Sequence, residues 1–332
     1  MGPPPVAKVE HLAVPGAGRS GPVTVEASQV AAAAPAAPVI AVVGDVAFDI
    51  SLAVDGLDAA DEKITATGGF RSVGGTGANA AASIARLGGR ARLHAMLGSD
   101  AIGRWIREEL AARRIDTSGL AMVEGQSTLA VIILGPGGRT VIVDRGVADA
   151  LDKLAPASVL DGVTLAYLSS IPVSIAARFL AAAACPVVVG VEARQAPELA
   201  ELGTPADVAA LLDRAAVVLT NEAGEAAIVE TSRHFQHAAL VVTRGPAGAT
   251  IRAPGEPDVD LPAPAVDAVD STGAGDCFAG ALCRFMADGT SLPRAVFLAT
   301  VAASLSTRRH GAQAGYPDET EVLAAARAID AG

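Results

Sequence analysis

From Val39 onward, short apolar runs rich in β-branched residues alternate with longer segments whose apolar residues recur at helical spacing. This alternation is typical of a parallel sheet covered by helices on both faces, so we predict an α/β fold. The predicted strands are residues 39–43, 91–96, 164–168, 186–191, 216–219 and 239–243. The predicted helices are residues 78–87, 99–113 with Ser99 as the N-cap, 174–184, 205–214, 222–230, 274–287, 292–306 and 319–329.

Two stretches, residues 50–73 and 120–143, do not follow this alternation. In the second stretch, apolar runs at 128–134 and 140–143 flank the sequence Gly-Pro-Gly-Gly at 135–138, a pattern typical of a β-hairpin. We interpret both stretches as strands of a small β-sheet outside the main one.

The first 38 residues differ from the rest of the chain in composition. They contain seven prolines and lack a sustained apolar period of 2 or 3.6 residues, so we expect a disordered N-terminal tail. Residues 39–332 then form the folded domain. The chain as a whole is 51% hydrophobic and 18% charged, which provides enough apolar side chains for a packed core.

Net charge and cysteine content argue against several classes of protein. The 25 basic and 36 acidic side chains give a formal net charge of −11, so nucleic acid is not expected as a partner. The longest uncharged apolar stretch, residues 30–43, contains two prolines and is shorter than the roughly 20 residues that span a membrane, so no membrane is expected either. The three cysteines form no CxxC pair, and we expect a cytoplasmic protein.

Several common catalytic signatures are absent from the sequence. None of the three lysines is followed by Ser or Thr, so the chain has no P-loop. The G-x-S-x-G motif of serine hydrolases and the HExxH motif of zinc proteases are absent as well. Any ATP-dependent chemistry must therefore use another kind of phosphate site.

The most informative segment is Asp-Ser-Thr-Gly-Ala-Gly-Asp at residues 270–276, which directly precedes an apolar helical pattern. Unpaired backbone N–H groups and the positive end of the helix dipole attract negative charge, so Gly273, Ala274 and Gly275 are suited to a transferring phosphoryl group. Asp276 would lie beside that group. A carboxylate at a helix start can also serve only as a partner of the dipole, and the residue types alone leave this alternative open.

This segment closely resembles the second signature of the PfkB-type, or ribokinase-like, carbohydrate kinases, D-[ST]-T-G-A-G-D, at all seven positions. Gly-Gly-Thr-Gly-Ala-Asn at 74–79 resembles the first signature of that family, and the exit from the first strand at 44–49 resembles its opening G-x-x-x-x-D. Further similarity lies at residues 221–225, 243–248 and 311–313. Together these segments extend the resemblance over roughly residues 39–330.

The resemblance implies a ribokinase-like three-layer α/β/α fold with a mostly parallel central sheet and a small β-sheet lid. It also implies an ATP-dependent sugar kinase that uses Mg²⁺ and transfers the γ-phosphate to a hydroxymethyl group of a small carbohydrate, with K⁺ as a further expectation. The lid, residues 50–73 and 120–143, would close over the substrate and exclude water. Family members often dimerise through such lids, so a homodimer through the lid is also expected.

The resemblance assigns roles to individual residues. Asp276 would be the catalytic base, with the anion hole formed by Gly273, Ala274 and Gly275. Substrate contacts would come from Asp49, Gly75, Asn79 and Asp276. Nucleotide contacts would come from Asn221, Thr243, Gly245 and Gly248, with Arg244 as either a phosphate contact or part of a plain turn. Asp270, together with backbone near Gly311, would hold a monovalent cation or would be a structural turn residue.

Two departures from the family pattern affect these expectations. In the N-x-x-E element, the family places Glu three residues after Asn to organise Mg²⁺ through water, but position 224 is Gly. Either Glu222 or Glu225 must then substitute, and we assign the role to Glu225. Thr76 stands where ribokinases usually have Lys, which leaves the specificity for ribose open.

Other functions fit parts of the sequence. Residues 75–80 satisfy the G-x-G-x-x-A fingerprint of an NAD-dependent oxidoreductase, but they do not follow the first strand directly and lack the acidic residue expected about 20 positions later. A non-catalytic sugar-binding relative would be expected to have lost Asp276, which is present. Within the kinases, the alternative is a nucleoside kinase of the adenosine, inosine/guanosine or pseudouridine type, because the same signatures serve both kinds of acceptor.

Overall fold

The computed structural model describes residues 37–56, 63–136 and 138–331. The predicted N-terminal tail lies outside the described residues, except for its last two positions. The described strands are β1 (Val39–Gly44), β2 (Ala47–Ala53), β3 (Gly68–Gly74), β4 (Arg90–Gly98), β5 (Leu120–Val123), β6 (Leu129–Gly135), β7 (Gly138–Asp144), β8 (Leu165–Ser169), β9 (Val187–Gly190), β10 (Val217–Asn221), β11 (Ala239–Thr243), β12 (Ala249–Arg252) and β13 (Val259–Leu261). The described α-helices are α1 (Thr76–Arg86), α2 (Ala101–Ala112), α3 (Pro156–Val159), α4 (Val173–Ala182), α5 (Ala196–Glu201), α6 (Pro205–Leu212), α7 (Glu222–Ser232), α8 (Ala274–Ala287), α9 (Leu292–Ser306) and α10 (Glu319–Asp330).

Nine of the described strands form one large sheet in the order β13-β12-β11-β10-β9-β8-β1-β4-β5. The strands from β11 through β5 pair in parallel, and β12 and β13 add an antiparallel edge. Both ends of each of the six predicted strands lie within two residues of the corresponding ends of an observed strand in this sheet. The prediction of a mostly parallel central sheet is therefore confirmed.

Helices cover both faces of the large sheet. In β1, Ile40 and Val42 belong to one hydrophobic cluster, whereas Ala41 and Val43 belong to another. Because successive side chains of a strand point to opposite faces, the two clusters lie on opposite sides of the sheet. The first cluster includes side chains of α1, α8 and α9, and the second includes side chains of α4, α6 and α7. The predicted three-layer α/β/α arrangement is thus confirmed.

The other four described strands form a separate sheet in the order β3-β2-β6-β7, which we call the lid. Strands β2 and β6 are parallel, and β6 and β7 form the predicted hairpin. The interpretation of residues 120–143 as part of this sheet is wrong at their start, because Leu120–Val123 forms β5 and pairs with β4 in the large sheet. At the base of the lid, Phe48 packs edge-on against Trp105 of α2, with ring centroids 5.1 Å apart.

Helix α2 shows one error of the sequence prediction. Its N-cap is Asp100, not Ser99: Oδ1 of Asp100 accepts a hydrogen bond from the backbone N–H of Gly103 at 2.7 Å. Asp100 also accepts hydrogen bonds from the backbone N–H and the hydroxyl of Ser127, and this contact from a distant loop favours Asp100 over its neighbour. Helices α8 and α9 begin and end at the predicted residues. None of the described helices combines the length and apolar character needed to cross a membrane.

Candidate active site

Two glycines let helix α1 begin directly against the end of β1. Gly44 ends β1, and a Cβ atom on Gly77 in the first turn of α1 would lie only 2.8 Å from the carbonyl carbon of Gly44. Gly75 is the N-cap of α1 with φ of 93°, a left-handed conformation that glycine adopts without strain. This close approach brings Asn79, early in α1, to the carboxyl end of β1.

The predicted phosphate motif forms the start of α8. Gly273 is the N-cap with φ of 75°, and the hydroxyl of Tyr316 donates a hydrogen bond to its carbonyl oxygen at 3.0 Å. The backbone N–H of Ala274 donates to the carbonyl of Ser271 at 3.2 Å. The N–H groups of Gly273 and Gly275 have no acceptor among the described residues, so two of the three predicted donors are available. A Cβ atom on Gly275 would meet no atom within 4 Å, which shows that this position faces open space.

Asp276, in the first turn of α8, is held by a chain of hydrogen bonds. The amide nitrogen of Asn79 donates to Oδ2 of Asp276 at 2.8 Å. Nε2 of Gln313 donates to the amide oxygen of Asn79 at 2.9 Å and to the carbonyl of Val73, also at 2.9 Å. Arg113, at the end of α2, donates to Oε1 of Gln313. Because the amide oxygen of Asn79 is engaged by Gln313, the amide nitrogen is left to face the carboxylate.

The carboxyl groups of Asp276 and Asp49 both ionise at higher pH than usual. The pKa of Asp276 is raised to about 7, mainly by burial and also by the negative charges of Glu192 and Asp49, while the hydrogen bond from Asn79 opposes the shift. Burial likewise raises the pKa of Asp49 to about 6. A general base works best when its pKa lies near the working pH, so Asp276 is suited to accept a proton near neutral pH.

Asp49 borders a cavity of 1140 Å³, the larger of the two that contain predicted site residues, between residues of the lid and residues of α1, α2 and the segment around Gln313. A Cβ atom on Gly74 would lie 2.0 Å from Oδ2 of Asp49, so the carboxylate rests directly on this glycine. Gly75, the predicted substrate contact, instead approaches the backbone of Asp45 and does not line this cavity. Gly74 is therefore the glycine that makes room for Asp49, a role that the sequence motif does not distinguish.

The smaller cavity, of 230 Å³, lies at the carboxyl ends of β8 to β11. Gly273, Gly275 and Asp276 line it together with Asn221 and Thr243. The structure thus brings two of the predicted nucleotide contacts next to the motif at the start of α8. Open α/β sheets characteristically bind ligands at the carboxyl ends of their strands.

The other two predicted nucleotide contacts, Gly245 and Gly248, line neither of the two cavities. Their φ angles are 52° and 101°, and they shape the turn between β11 and β12, where the backbone N–H of Arg244 donates to the carbonyl of Gly248 at 2.7 Å. A Cβ atom on Gly248 would lie 2.0 Å from the carbonyl oxygen of Leu261. Both glycines thus have a backbone reason to be present, and their contact with a nucleotide stays a prediction.

Glu225, to which we assigned the Mg²⁺ role, is paired with two arginines. Its carboxylate accepts hydrogen bonds from Arg244 at 3.1 and 3.3 Å and another from Arg252. Burial alone would raise its pKa, but these contacts outweigh burial and hold the pKa of Glu225 below its usual value. The alternative, Glu222, is exposed and lies 3.6 Å from Arg244. These ion pairs engage both Glu225 and Arg244, the candidate phosphate contact, and the Mg²⁺ role of Glu225 stays a prediction.

Asp270 joins the start of the motif to the C-terminal segment. One of its carboxylate oxygens accepts a hydrogen bond from the backbone N–H of Thr272 and the other from that of Gly311, both at 2.9 Å. Burial would raise the pKa of Asp270, but these hydrogen bonds lower it overall. Asp270 and Gly311, the predicted monovalent-cation residues, are therefore adjacent, while K⁺ binding stays a prediction. The part of the chain that the structure describes holds no group of three His, Cys, Asp or Glu suited to a metal ion.

Comparison with known proteins points to one family. Residues 38–319 match the family described as pfkB family carbohydrate kinase. The chain is 30% identical over 298 residues to the ribokinase of Bacillus subtilis (strain 168), covering 85% of this chain and 97% of that protein. The structure of Arabidopsis thaliana ribokinase, solved with ribose and ATP, matches with a TM-score of 0.71 and 26% identity over 87% of this chain and 98% of that one. A Burkholderia thailandensis nucleoside kinase solved with inosine shares the fold, with a TM-score of 0.71 and 22% identity over 86% of this chain and 96% of that one.

Proposed function

We infer the function of this chain from its family: the chain belongs to the pfkB carbohydrate kinases and is therefore a phosphotransferase with an alcohol group as acceptor. The use of ATP is supported by its ribokinase relatives, one of which is solved with ribose and ATP. We propose, more specifically, that the chain transfers the γ-phosphate of ATP to the hydroxymethyl group of a small carbohydrate of the ribokinase or fructokinase kind.

In the proposed reaction, the acceptor hydroxyl attacks the γ-phosphorus in line, and the bond from that phosphorus to the bridging oxygen of ADP breaks. Asp276 takes the proton of the hydroxyl, because its pKa of about 7 leaves much of it ionised at neutral pH. The N–H groups of Gly273 and Gly275 face the charge that develops on the transferring phosphoryl oxygens. Asp49 accepts hydrogen bonds from sugar hydroxyls, since one carboxylate can serve two donors.

Magnesium bound with the nucleotide would neutralise phosphate charge during the transfer. This ion prefers oxygen ligands and keeps several of its waters. The lining of the smaller cavity fits such an ion, because it includes the carboxylate of Glu192 and the side-chain amide of Asn221. A K⁺ site beside Asp270 is a further proposal, supported by the hydrogen bond between Asp270 and the backbone of Gly311.

We propose that the lid closes over the larger cavity during the reaction. Arg139 on β7 donates a hydrogen bond to Oγ1 of Thr272 at 2.9 Å, which ties the lid to the motif at the start of α8. Closure would exclude water, which otherwise competes as phosphoryl acceptor. The same strand leaves Val141, Ile142 and Val143 exposed, which supports the expected association of two copies through their lids.

One observation carries the proposal. Asp276 lines the smaller cavity, while its hydrogen-bond partner Asn79 is bonded through Gln313 to the wall of the larger one. A base placed between a nucleotide cavity and an acceptor cavity is what transfer to a hydroxyl group requires. A nucleoside is the second candidate acceptor, because a volume of 1140 Å³ leaves room for a base attached to the sugar.

The proposal can be tested by measuring ADP release with Mg-ATP, in the presence and absence of K⁺. The acceptors are ribose, fructose, fructose phosphates, 2-keto-3-deoxygluconate, adenosine, inosine and pseudouridine. We expect turnover with one of the sugars. Turnover with nucleosides alone would establish the second candidate. ATP binding without turnover for any acceptor would contradict the proposed acceptor class.

A further inference from the structure

Position 224, where the family pattern has its metal-organising Glu, is a glycine packed against a neighbouring segment. Gly224 lies in the first turn of α7, and a Cβ atom on it would lie 2.3 Å from Oγ1 of Thr220 and 3.0 Å from the carbonyl oxygen of Val191. The same Oγ1 of Thr220 donates a hydrogen bond to the carbonyl of Val191 at 2.7 Å. The lack of a side chain at Gly224 therefore lets the segment that follows β9 lie directly against the start of α7.

That segment brings Glu192 to the smaller cavity, which Glu192 lines together with Asp276 and Asn221. The backbone N–H of Glu192 donates to Oε1 of Gln195 at 2.8 Å, and Nε2 of the buried Gln195 donates to the carbonyl of Ile171 at 2.8 Å. These bonds fix the backbone that carries Glu192.

The other carboxylates at the start of α7 are not available to this cavity. Neither of them lines the cavity: Glu225 is bound by two arginines, and the side chain of Glu222 is 65% exposed. Of the described residues that line the cavity, Asp276 and Glu192 are the only acidic ones. Since Asp276 is required as the base, Glu192 is the carboxylate that remains for a cation.

We propose that Glu192 takes over the role of the missing family Glu and holds, directly or through water, the divalent cation that binds with the nucleotide; this inference rests on the proposed kinase function. Nε of Arg194 lies 2.8 Å from Oε2 of Glu192, and another nitrogen of the same guanidinium donates to the carbonyl of Ser170 at 2.6 Å. Glu192 and Arg194 thus place a carboxylate, which suits a hard cation, beside a guanidinium, which suits phosphate oxygens. Gly224 thus lacks the family carboxylate, but it leaves room for the segment after β9, which supplies the carboxylate of Glu192 instead.

The test measures the binding of a non-hydrolysable ATP analogue by titration calorimetry, once with Mg²⁺ and once with EDTA. The wild-type protein should bind the analogue more tightly with Mg²⁺. Glu192→Gln should lose about tenfold or more of this Mg²⁺-dependent affinity, because residues that support a metal typically contribute about 10- to 100-fold, while its affinity in EDTA stays unchanged. Glu222→Gln removes an exposed carboxylate near the same cavity and should behave as the wild type.

An undiminished Mg²⁺ effect in Glu192→Gln, or an equal loss in Glu222→Gln, would overturn the assignment. Glu192→Asp keeps the charge on a shorter side chain and should retain part of the Mg²⁺ effect. If the wild type phosphorylates an acceptor while Glu192→Gln keeps the full effect, the role of Glu192 alone is disproved. A wild type that neither binds the analogue nor transfers phosphate would contradict the proposed function, and this inference with it.

Discussion

Replacing Asp276 by Asn should strongly reduce catalysis and at the same time stabilise the fold. The pKa of Asp276 is raised from its ordinary value of 3.8 to about 7, so the folded protein holds this proton more tightly than the unfolded chain does. Ionisation of Asp276 therefore destabilises the folded state: the effect is absent below about pH 4, grows as the pH rises, and levels off above about pH 7. At about 1.4 kcal/mol per pH unit, the difference between the two values corresponds to about 4 kcal/mol.

Asparagine has nearly the same shape as aspartate and carries no charge. Asp276→Asn should raise the free energy of unfolding by up to about 4 kcal/mol at pH 8 but by only about 0.5 kcal/mol at pH 4. The hydrogen bond from Asn79 can be kept, because an amide oxygen also accepts it. The variant should lose kcat by at least about 100-fold, since no group remains to take the proton. Denaturant unfolding at pH 4, 6 and 8, together with ADP release, measures both effects.

Asp161→Asn is the matched control, because Asp161 is an exposed aspartate far in sequence from the motif. It should change the free energy of unfolding by less than about 0.5 kcal/mol at any of the three pH values. A gain for Asp276→Asn that is absent, or that does not depend on pH, would refute the argument from burial. Retention of the wild-type kcat would refute the role of Asp276 as the base.

Four other predictions concern the acceptor contacts and the base. Gly74→Ala should displace the Asp49 carboxylate and raise the KM for the acceptor about tenfold or more, while the Kd for ATP stays unchanged. The control is Gly68→Ala, because a Cβ atom at that position meets nothing within 4 Å. Asp49→Ala should likewise raise the KM for the acceptor without weakening ATP binding, and equal damage to both would show that Asp49 is structural. The pH profile of kcat/KM should fall below about pH 7 as Asp276 becomes protonated. Gln313 orients the side-chain amide of Asn79, whose hydrogen bond lowers the pKa of Asp276. Gln313→Leu should therefore raise this pKa and move the acid limb to higher pH. An unmoved limb would contradict the hydrogen-bond chain.

The large sheet is predictable from sequence because its central strands are buried on both faces and appear as short β-branched runs. Strands at the edges lack this signal. Val259–Leu261 has three residues, of which Val259 is exposed, and no local pattern marks it as a strand. The sequence of Leu120–Val123 is typical of a strand, but four residues do not indicate which other strand they pair with. Its pairing with β4, rather than with the lid, follows from tertiary packing.

The motifs locate the site residues but do not reveal the contacts among them. The hydrogen bond from Asn79 to Asp276 joins positions 197 residues apart, and no spacing in the sequence implies it. The ion pairs of Glu225 are likewise not evident from the sequence. Its carboxylate is engaged by Arg244 and by Arg252 of β12, and sequence patterning does not predict the strand that carries Arg252. Which carboxylate is free depends on these ion pairs, which are visible only in three dimensions.

The position of the site follows from the path of the chain through the large sheet. Strand β1 pairs with β4 on one side and with β8 on the other, so the order of strands reverses at β1, and open α/β sheets bind ligands at the carboxyl ends beside such a reversal. Asp49 lies in β2, directly after this point. Asp276 reaches the same place because α8 packs closely on α1: a Cβ atom on Gly280 would lie 2.4 Å from the carbonyl oxygen of Ala80. The glycine at 280 thus lets a helix from the far end of the chain bring its carboxylate to the end of the first strand.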